Sequence, residues 1–133
     1  MTRIAVLLGL GLLLVASTHA QPPADDPHFT GKSTVMDGKD LTAARRRFEP
    51  GARSAWHSHD NGQLLLVEEG RMRTQKKGQA VKELGAGESD YTGPNLVHWH
   101  GAAAGQALVQ INIGFGGETK WLEKVTDAEY NKK

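Results

Sequence analysis

Four histidines stand in two closely spaced pairs, His57 with His59 and His98 with His100. Because successive side chains of an extended strand alternate between faces, each pair is predicted to point both imidazoles to one side. Gln63 keeps the same parity when the turn before it preserves the alternation, and its amide oxygen is a neutral ligand. Imidazole groups suit divalent transition metals. The two pairs and Gln63 therefore predict one metal site.

The stretch from residue 51 to residue 70 resembles the first motif of the cupin superfamily. It has a glycine, five residues, His57-x-His59, three residues, a ligand position at Gln63, six residues and a glycine. Most metal-binding cupins carry glutamate where this chain has Gln63. Without that carboxylate a bound cation keeps its full double charge, so we expect a stronger Lewis acid and a more weakly held ion.

Residues 87–100 resemble the second cupin motif, whose glycine, proline and histidine correspond to Gly87, Pro94 and His98. The chain departs from this motif at Leu96, where glycine is customary, and the intervals on either side of Pro94 each differ by one residue. We therefore expect an altered turn there. Together the motifs imply an all-β fold, the cupin double-stranded β-helix or jelly-roll barrel, with a divalent metal bound by three histidines and Gln63.

The elements that must position these residues are short. Apolar or alternating runs recur roughly every eight to twelve residues between turn signals, a spacing typical of an all-β sandwich or barrel. The candidate turns are residues 49–51, 60–62, 69–70, 77–78, 85–87 and 93–95. Thr126 and Glu129 form a capping-box pattern that predicts a short C-terminal helix from Asp127, closing one end of the core. The three tryptophans are predicted to face away from the site, into the core: Trp56, Trp99 and Trp121.

The N-terminal residues predict export. Arg3 precedes an apolar run of about twelve residues, shorter than a bilayer span, and small residues follow it. We expect residues 1–20 to be a signal peptide cleaved after Ala20, which places the protein in the periplasm or outside the cell. Residues 21–28 are predicted to be a flexible leader, and residues 29–133 the cupin domain. The chain has no cysteine, which excludes disulfides.

The charge balance argues against several partners. Removing residues 1–20 takes away one of sixteen basic residues, so fifteen remain against fifteen acidic ones. This balance gives no support for binding nucleic acid, or for binding a membrane after signal cleavage. We expect a small-molecule substrate. The exposed strand edges of a small barrel predict a homodimer or higher homo-oligomer.

At finer grain, three segments look like one subgroup of small cupins that contains the cupin-type hydroxynitrile lyases. These segments are residues 48–59, 98–102 and 121–130. The resemblance implies manganese as the metal, with iron, nickel, cobalt and zinc as alternatives, bound by His57, His59, Gln63 and His98. It also places His100 near the substrate. A metal-bound cyanohydrin hydroxyl is acidified, and His100 is the natural base as cyanide leaves; the alternative is that His100 is a further metal ligand.

Arg46 and two amides distinguish this chain from those lyases. Strand parity puts Arg46 on one face with Phe48, which should face the core, so Arg46 is predicted to point into the barrel and to need an anion. That anion is either a structural carboxylate, for which Glu68, Glu83 and Asp90 are the candidates, or the carboxylate or phosphate of a substrate. Gln110 and Asn112 share the cavity face of the next strand and can hydrogen-bond a substrate, although neither can shuttle a proton.

Three functions remain open at this point. The first is a metal-dependent lyase of the hydroxynitrile type. The second is a metal-dependent cupin dioxygenase acting on a small anionic substrate, since three imidazoles leave coordination positions open for oxygen. The third is a non-catalytic metal-binding or ligand-binding cupin, which has no need for a base such as His100 on the cavity face.

Overall fold

The structure is a computed structural model that describes residues 28–31 and 33–132. The predicted signal peptide and residues 21–27 of the predicted leader lie outside these residues. The chain divides into two units, residues 1–36 and residues 37–133. The described part of the first unit is exposed and contains no helix or strand. Within residues 28–31 and 33–132, no helix is long and apolar enough to cross a membrane.

The second unit is built from short antiparallel strands, which confirms the all-β prediction. Its elements are β1 (Thr42–Phe48), β2 (Ala55–His59), β3 (Gln63–Lys76), β4 (Lys82–Gly85), β5 (Ser89–Thr92), β6 (His98–Ala102), β7 (Leu108–Gly114), β8 (Thr119–Lys124) and α1 (Asp127–Tyr130). One face of the fold has the strand order β1-β7-β3-β5, and the other has β4-β3-β6-β2-β8. This is the curled, two-sheet arrangement of a jelly roll.

Strand β3 joins the two faces because it runs through both of them. Its first half pairs with β5 and β7, and its second half pairs with β4 and β6. The predicted turn at residues 69–70 is therefore wrong. A bulge between Val67 and Glu69 and the left-handed backbone of Gly70 (φ 81°) bend the strand without reversing it. The bulge carries the chain from one sheet to the other.

Two apolar clusters form the core. The first contains Leu65, Val67, Met72, Ala102 and Leu108, and the second contains Trp56, Trp99, Val125 and Tyr130. The predicted capping box is present, with the Thr126 hydroxyl accepting from the Glu129 N–H. It starts the helix that places the Tyr130 hydroxyl 2.7 Å from the carbonyl oxygen of Ala102, to which it donates. The C-terminal helix thus closes the tryptophan end of the core.

Candidate metal centre

Strands β2 and β6 place the two histidine pairs side by side. His57 lies directly opposite His98 in the antiparallel register, and their ring centroids are 4.2 Å apart. His59 and His100 stand two residues further along their strands, so they face the same side. One nitrogen from each of His57, His98 and His100 lies within 4.8 Å of the other two. Strand alternation has therefore brought four imidazoles to one face.

Gln63 joins this group as the first residue of β3. It is buried, and its Oε1 lies 3.1 Å from His98 Nε2. The turn that brings Gln63 back beside His59 depends on Gly62, which has a φ of 90°. A Cβ on Gly62 would lie 2.7 Å from the carbonyl oxygen of Thr92, so no larger residue fits there. The turn thus preserves the parity that sequence alone could only assume.

The altered turn of the second motif is also fixed by a left-handed residue. Asn95, one position before Leu96, has a φ of 58°, a conformation that asparagine tolerates better than most residues. Its N–H donates to the carbonyl oxygen of His59 at 2.7 Å. Leu96 therefore needs no glycine conformation, and the turn ties the start of β6 to the end of β2.

Hydrogen bonds orient the rings so that nitrogens face one another. The Nδ1–H groups of His57 and His98 donate to backbone carbonyls two residues earlier, at 2.9 and 3.2 Å, which leaves each Nε2 with its lone pair. His59 Nδ1 lies 3.0 Å from the Thr119 hydroxyl, and its Nε2 is buried without a hydrogen-bond partner among the described residues. Such an atom costs about 1–3 kcal/mol. A cation at the centre of these nitrogens would give it a partner, so the donor set fits a metal.

Burial keeps all four imidazoles neutral. Desolvation is the main cause that lowers the pKa of His57 and of His59. Desolvation, followed by the nearby His57, lowers the pKa of His98 to about 3, and the same causes hold the pKa of His100 well below its usual value. Neutral imidazole is the form that coordinates a metal and the form that accepts a proton.

His100 has its own set of contacts. Its Nδ1 lies 3.1 Å from Gln110 Nε2, and its ring meets the edge of Phe48 at a centroid distance of 5.9 Å. Its backbone N–H donates to the Ser54 hydroxyl at 3.1 Å. Gln110 is fully buried, its Nε2 also donates to Asn112 Oδ1, and its Oε1 has no hydrogen-bond partner among the described residues. The side chain best placed to control His100 is therefore Gln110.

Two cavities share a wall beside the histidine cluster. The first, of about 360 Å³, is here called the arginine cavity, and it is lined by Arg46, Phe48, Arg53, Ser54, His57, His59, Gln63, His100, Asn112 and Trp121. The second, of about 240 Å³, is called the glycine cavity, and it is lined by Thr42, Ala43, Ala44, His59, Gln63, Asn112, Gly114, Gly116, Gly117 and Thr119. His59, Gln63 and Asn112 line both. The candidate centre thus borders two compartments of different chemistry.

Arg46 faces the site but is exposed, so the prediction of a guanidinium buried inside the barrel is wrong. The reason is that β1 is the outermost strand of its sheet and pairs only with β7. Arg46 lines the arginine cavity, and among the described residues it forms no ion pair or hydrogen bond. The three predicted carboxylate partners pair with other cations instead. These pairs are Glu68 with Arg45 (2.6 Å), Glu83 with Arg73 (3.2 Å) and Asp90 with Lys76 (2.9 Å).

Strand β8 contributes site residues that the sequence analysis missed. Trp121 lies opposite His57 in the register, its ring centroid is 4.7 Å from that of His57, and 64% of the residue is exposed. The prediction that Trp121 belongs to the core is therefore wrong, although it is correct for Trp56 and Trp99. No local pattern reveals that β8 pairs with β2, and that pairing also brings Thr119 against His59.

Comparison with known proteins agrees with this geometry. Residues 44–114 match the family model of the cupin domain. Over 110 residues the chain is 42% identical to a protein named (R)-mandelonitrile lyase from Granulicella tundricola, a match that covers 80% of this chain and 81% of that protein.

Solved structures resemble the fold in the same way. A cupin-like protein from Thermotoga maritima is 41% identical with a TM-score of 0.67, over 68% of this chain and 71% of that one. A DMSP lyase from Ruegeria pomeroyi has a TM-score of 0.58 at 13% identity, over 66% of this chain and 46% of that one, and at this identity it shows a common fold alone.

Proposed function

The chain belongs to the cupin superfamily, and from that premise we propose that it is a metal-dependent lyase of the hydroxynitrile type. The observation that carries the proposal is the buried cluster of His57, His98 and His100 beside the unpartnered Nε2 of His59. The name of the 42% identical relative supports this choice of reaction.

The proposed ligands are the Nε2 atoms of His57, His59 and His98 together with Gln63 Oε1. Manganese is the first candidate, with iron, nickel, cobalt and zinc as the alternatives. All four donors are neutral, so none of the double charge is offset by the ligands. When bound, the cation supplies Lewis acidity that promotes ionisation of a hydroxyl in contact with it.

His100 is the proposed base, and its free nitrogen is Nε2, because Nδ1 faces Gln110. When the amides of Gln110 and Asn112 are both reversed, Gln110 Oε1 accepts from His100 Nδ1–H and from Asn112 Nδ2–H, and His100 Nε2 keeps its lone pair. His100 Nε2 then takes the hydroxyl proton of the cyanohydrin as its carbon–carbon bond breaks. The electron pair of that bond leaves with cyanide, the alkoxide becomes a carbonyl, and Nε2 returns the proton to give hydrogen cyanide.

The arginine cavity is the proposed place for the substrate. His100 lines this cavity but not the glycine cavity, so a substrate there can reach the base. Phe48 and Trp121 supply aromatic walls for an apolar group, and Asn112 supplies a polar contact. Gln110 does not line this cavity and acts on the substrate only through its contact with His100.

The test begins with metal analysis of the purified protein and an assay of cyanide release from (R)-mandelonitrile. We expect His57→Ala to lose both metal and activity. We expect His100→Ala to keep its metal and to lose activity by about 100-fold, the usual worth of a general base. His28→Ala, a histidine of the first unit, serves as the matched control and should match the wild type.

Full cyanide release by His57→Ala would contradict the metal mechanism. A wild type that releases no cyanide but consumes oxygen with an anionic substrate would replace the lyase by the dioxygenase. A metal-loaded wild type that does neither would favour a binding protein.

A further inference from the structure

Arg46 differs from every other arginine in the described part of the chain. The other five each approach a carboxylate within 4 Å, in the pairs Arg45–Glu68 (2.6 Å), Arg47–Glu49 (2.9 Å), Arg53–Asp127 (2.6 Å), Arg71–Glu83 (3.5 Å) and Arg73–Glu83 (3.2 Å). Arg46 has no such partner there. Its sequence neighbours Arg45 and Arg47 lie on the opposite face of β1, where Glu68 and Glu49 pair with them.

The position of Arg46 on β1 directs it toward the site. It lies opposite the buried Gln110 in the register, and cross-strand partners share a face. Phe48, two residues further along the same face, contacts the ring of His100. Arg46 and His100 both line the arginine cavity. Among the described residues, the one arginine without a carboxylate thus lines the same cavity as the proposed base.

The cavity itself has an excess of positive charge. None of its ten lining residues is an aspartate or glutamate, and two are arginines. Arg53 is neutralised by Asp127 and also donates to the carbonyl of Val125. Arg46 is not neutralised, and the ligand set proposed for the metal adds no negative charge.

We propose that the arginine cavity binds a hydroxy compound that also carries a carboxylate, with the carboxylate paired to Arg46 and the hydroxyl directed to the metal centre. For a lyase of the proposed type, the cyanohydrin is then an anionic one. A guanidinium matches a carboxylate through two parallel hydrogen bonds. The inference rests on the proposed metal centre, but it does not depend on cyanide release.

The experiment compares two ligands of nearly the same shape by calorimetry on the metal-loaded protein. (R)-Mandelate carries a hydroxyl and a carboxylate, and (R)-mandelamide replaces the carboxylate with a neutral amide. We expect mandelate to bind wild type at least about tenfold more tightly, in line with a charge-assisted pair. Added sodium chloride should weaken the binding of mandelate and leave the binding of mandelamide unchanged.

Three variants assign the preference to Arg46. Arg46→Leu should lose most of it, and Arg46→Lys should keep part of it, because the charge stays while the planar fork is lost. Arg47→Leu removes the same charge from the next residue, whose partner is Glu49, and should behave as wild type. Metal content and thermal melts of each variant confirm that the site is loaded and folded.

A preference for mandelate that survives in Arg46→Leu, or that falls equally in Arg47→Leu, would overturn the proposal. Displacement of mandelate by an equal concentration of inorganic phosphate would also overturn it, because phosphate would then be the better ligand for the cavity. Failure of the proposed lyase reaction gives a different result. The metal-loaded wild type would then prefer mandelate through Arg46 but release no cyanide from mandelonitrile. That result contradicts the reaction and supports the anion site.

Discussion

The arginine cavity and the glycine cavity share His59, Gln63 and Asn112, yet their other walls differ in kind. The arginine cavity has two cations, two aromatic rings and the proposed base. The glycine cavity has no charged or aromatic side chain other than the shared His59. The candidate metal centre therefore borders two unlike cavities. The arginine cavity has groups that can hold and deprotonate a substrate, and the glycine cavity has neither kind of group.

Part of the difference comes from the inner face of one strand, and the rest comes from Arg53, His100 and Trp121 on other segments. Alternate residues of β1 run from Thr42 and Ala44, which line the glycine cavity, to Arg46 and Phe48, which line the arginine cavity. Substitutions along a single strand can thus change one compartment and leave the other intact. The four predictions below use this contrast or test the wall that the cavities share.

Removing the amide behind the arginine cavity should have the largest effect. Gln110→Leu takes away the partner of His100 Nδ1, so the base loses control of its tautomer. We expect the kcat for mandelonitrile to fall by about 100-fold, with KM and metal content unchanged. Gln110→His offers a new ring nitrogen at the same place and should restore much of the rate. Equal kcat values for wild type and Gln110→Leu would remove Gln110 from the mechanism.

Acid should destabilise the metal-free protein through His98, which lies behind the shared wall with its Nε2 3.1 Å from Gln63 Oε1. The pKa of His98 is lowered from 6.5 to about 3 by burial, so below pH 6.5 the unfolded chain takes up a proton that the folded chain does not. The contribution of His98 to stability is full above pH 6.5 and is lost as the pH falls toward 3, and the loss between pH 7 and pH 4.5 is about 2.5 kcal/mol. Urea unfolding of chelator-treated protein at pH 7 and pH 4.5 measures it. His98→Asn should reduce this dependence by the share of His98 and leave the share of His57, His59 and His100, and an unchanged slope would assign the effect elsewhere.

Truncating one side chain at each end of the β1 inner face tests which cavity holds the substrate. Phe48→Ala removes an aromatic wall of the arginine cavity, and we expect the KM for mandelonitrile to rise about tenfold. Thr42→Ala truncates a side chain that lines the glycine cavity and should leave KM within about twofold. Steady-state kinetics on both variants, with thermal melts to check folding, give the answer. The reverse ranking would move the substrate to the glycine cavity.

The smallest effect is expected from restoring a carboxylate to the shared wall. Gln63→Glu adds one negative charge beside the proposed metal, so metal should dissociate more slowly from a competing chelator. The same charge should weaken mandelate binding in the arginine cavity by a few-fold, since the attraction for an anion falls. Chelator competition and calorimetry on one preparation measure both changes. Tighter mandelate binding in Gln63→Glu would contradict the charge argument.

Local pattern was sufficient for much of the fold and of the candidate site. The alternation within 57–59 and 98–100 places each histidine pair on one face, because strand geometry is set by neighbouring residues. The capping box of the C-terminal helix and five of the six predicted turns are local in the same sense. The spacing of the two motifs predicted the barrel, which no single run of residues specifies.

Contacts between distant segments decided the rest. That β8 pairs with β2, and so puts Trp121 over His57, depends on segments some sixty residues apart. That Glu68, Glu83 and Asp90 bind other cations and leave Arg46 open depends on which strands lie side by side. Sequence by itself determined which side chains could hold a metal, because that requires only residue type and strand period. Only the tertiary structure decided that an unpaired arginine faces them, because the pairing of charges is settled by long-range packing.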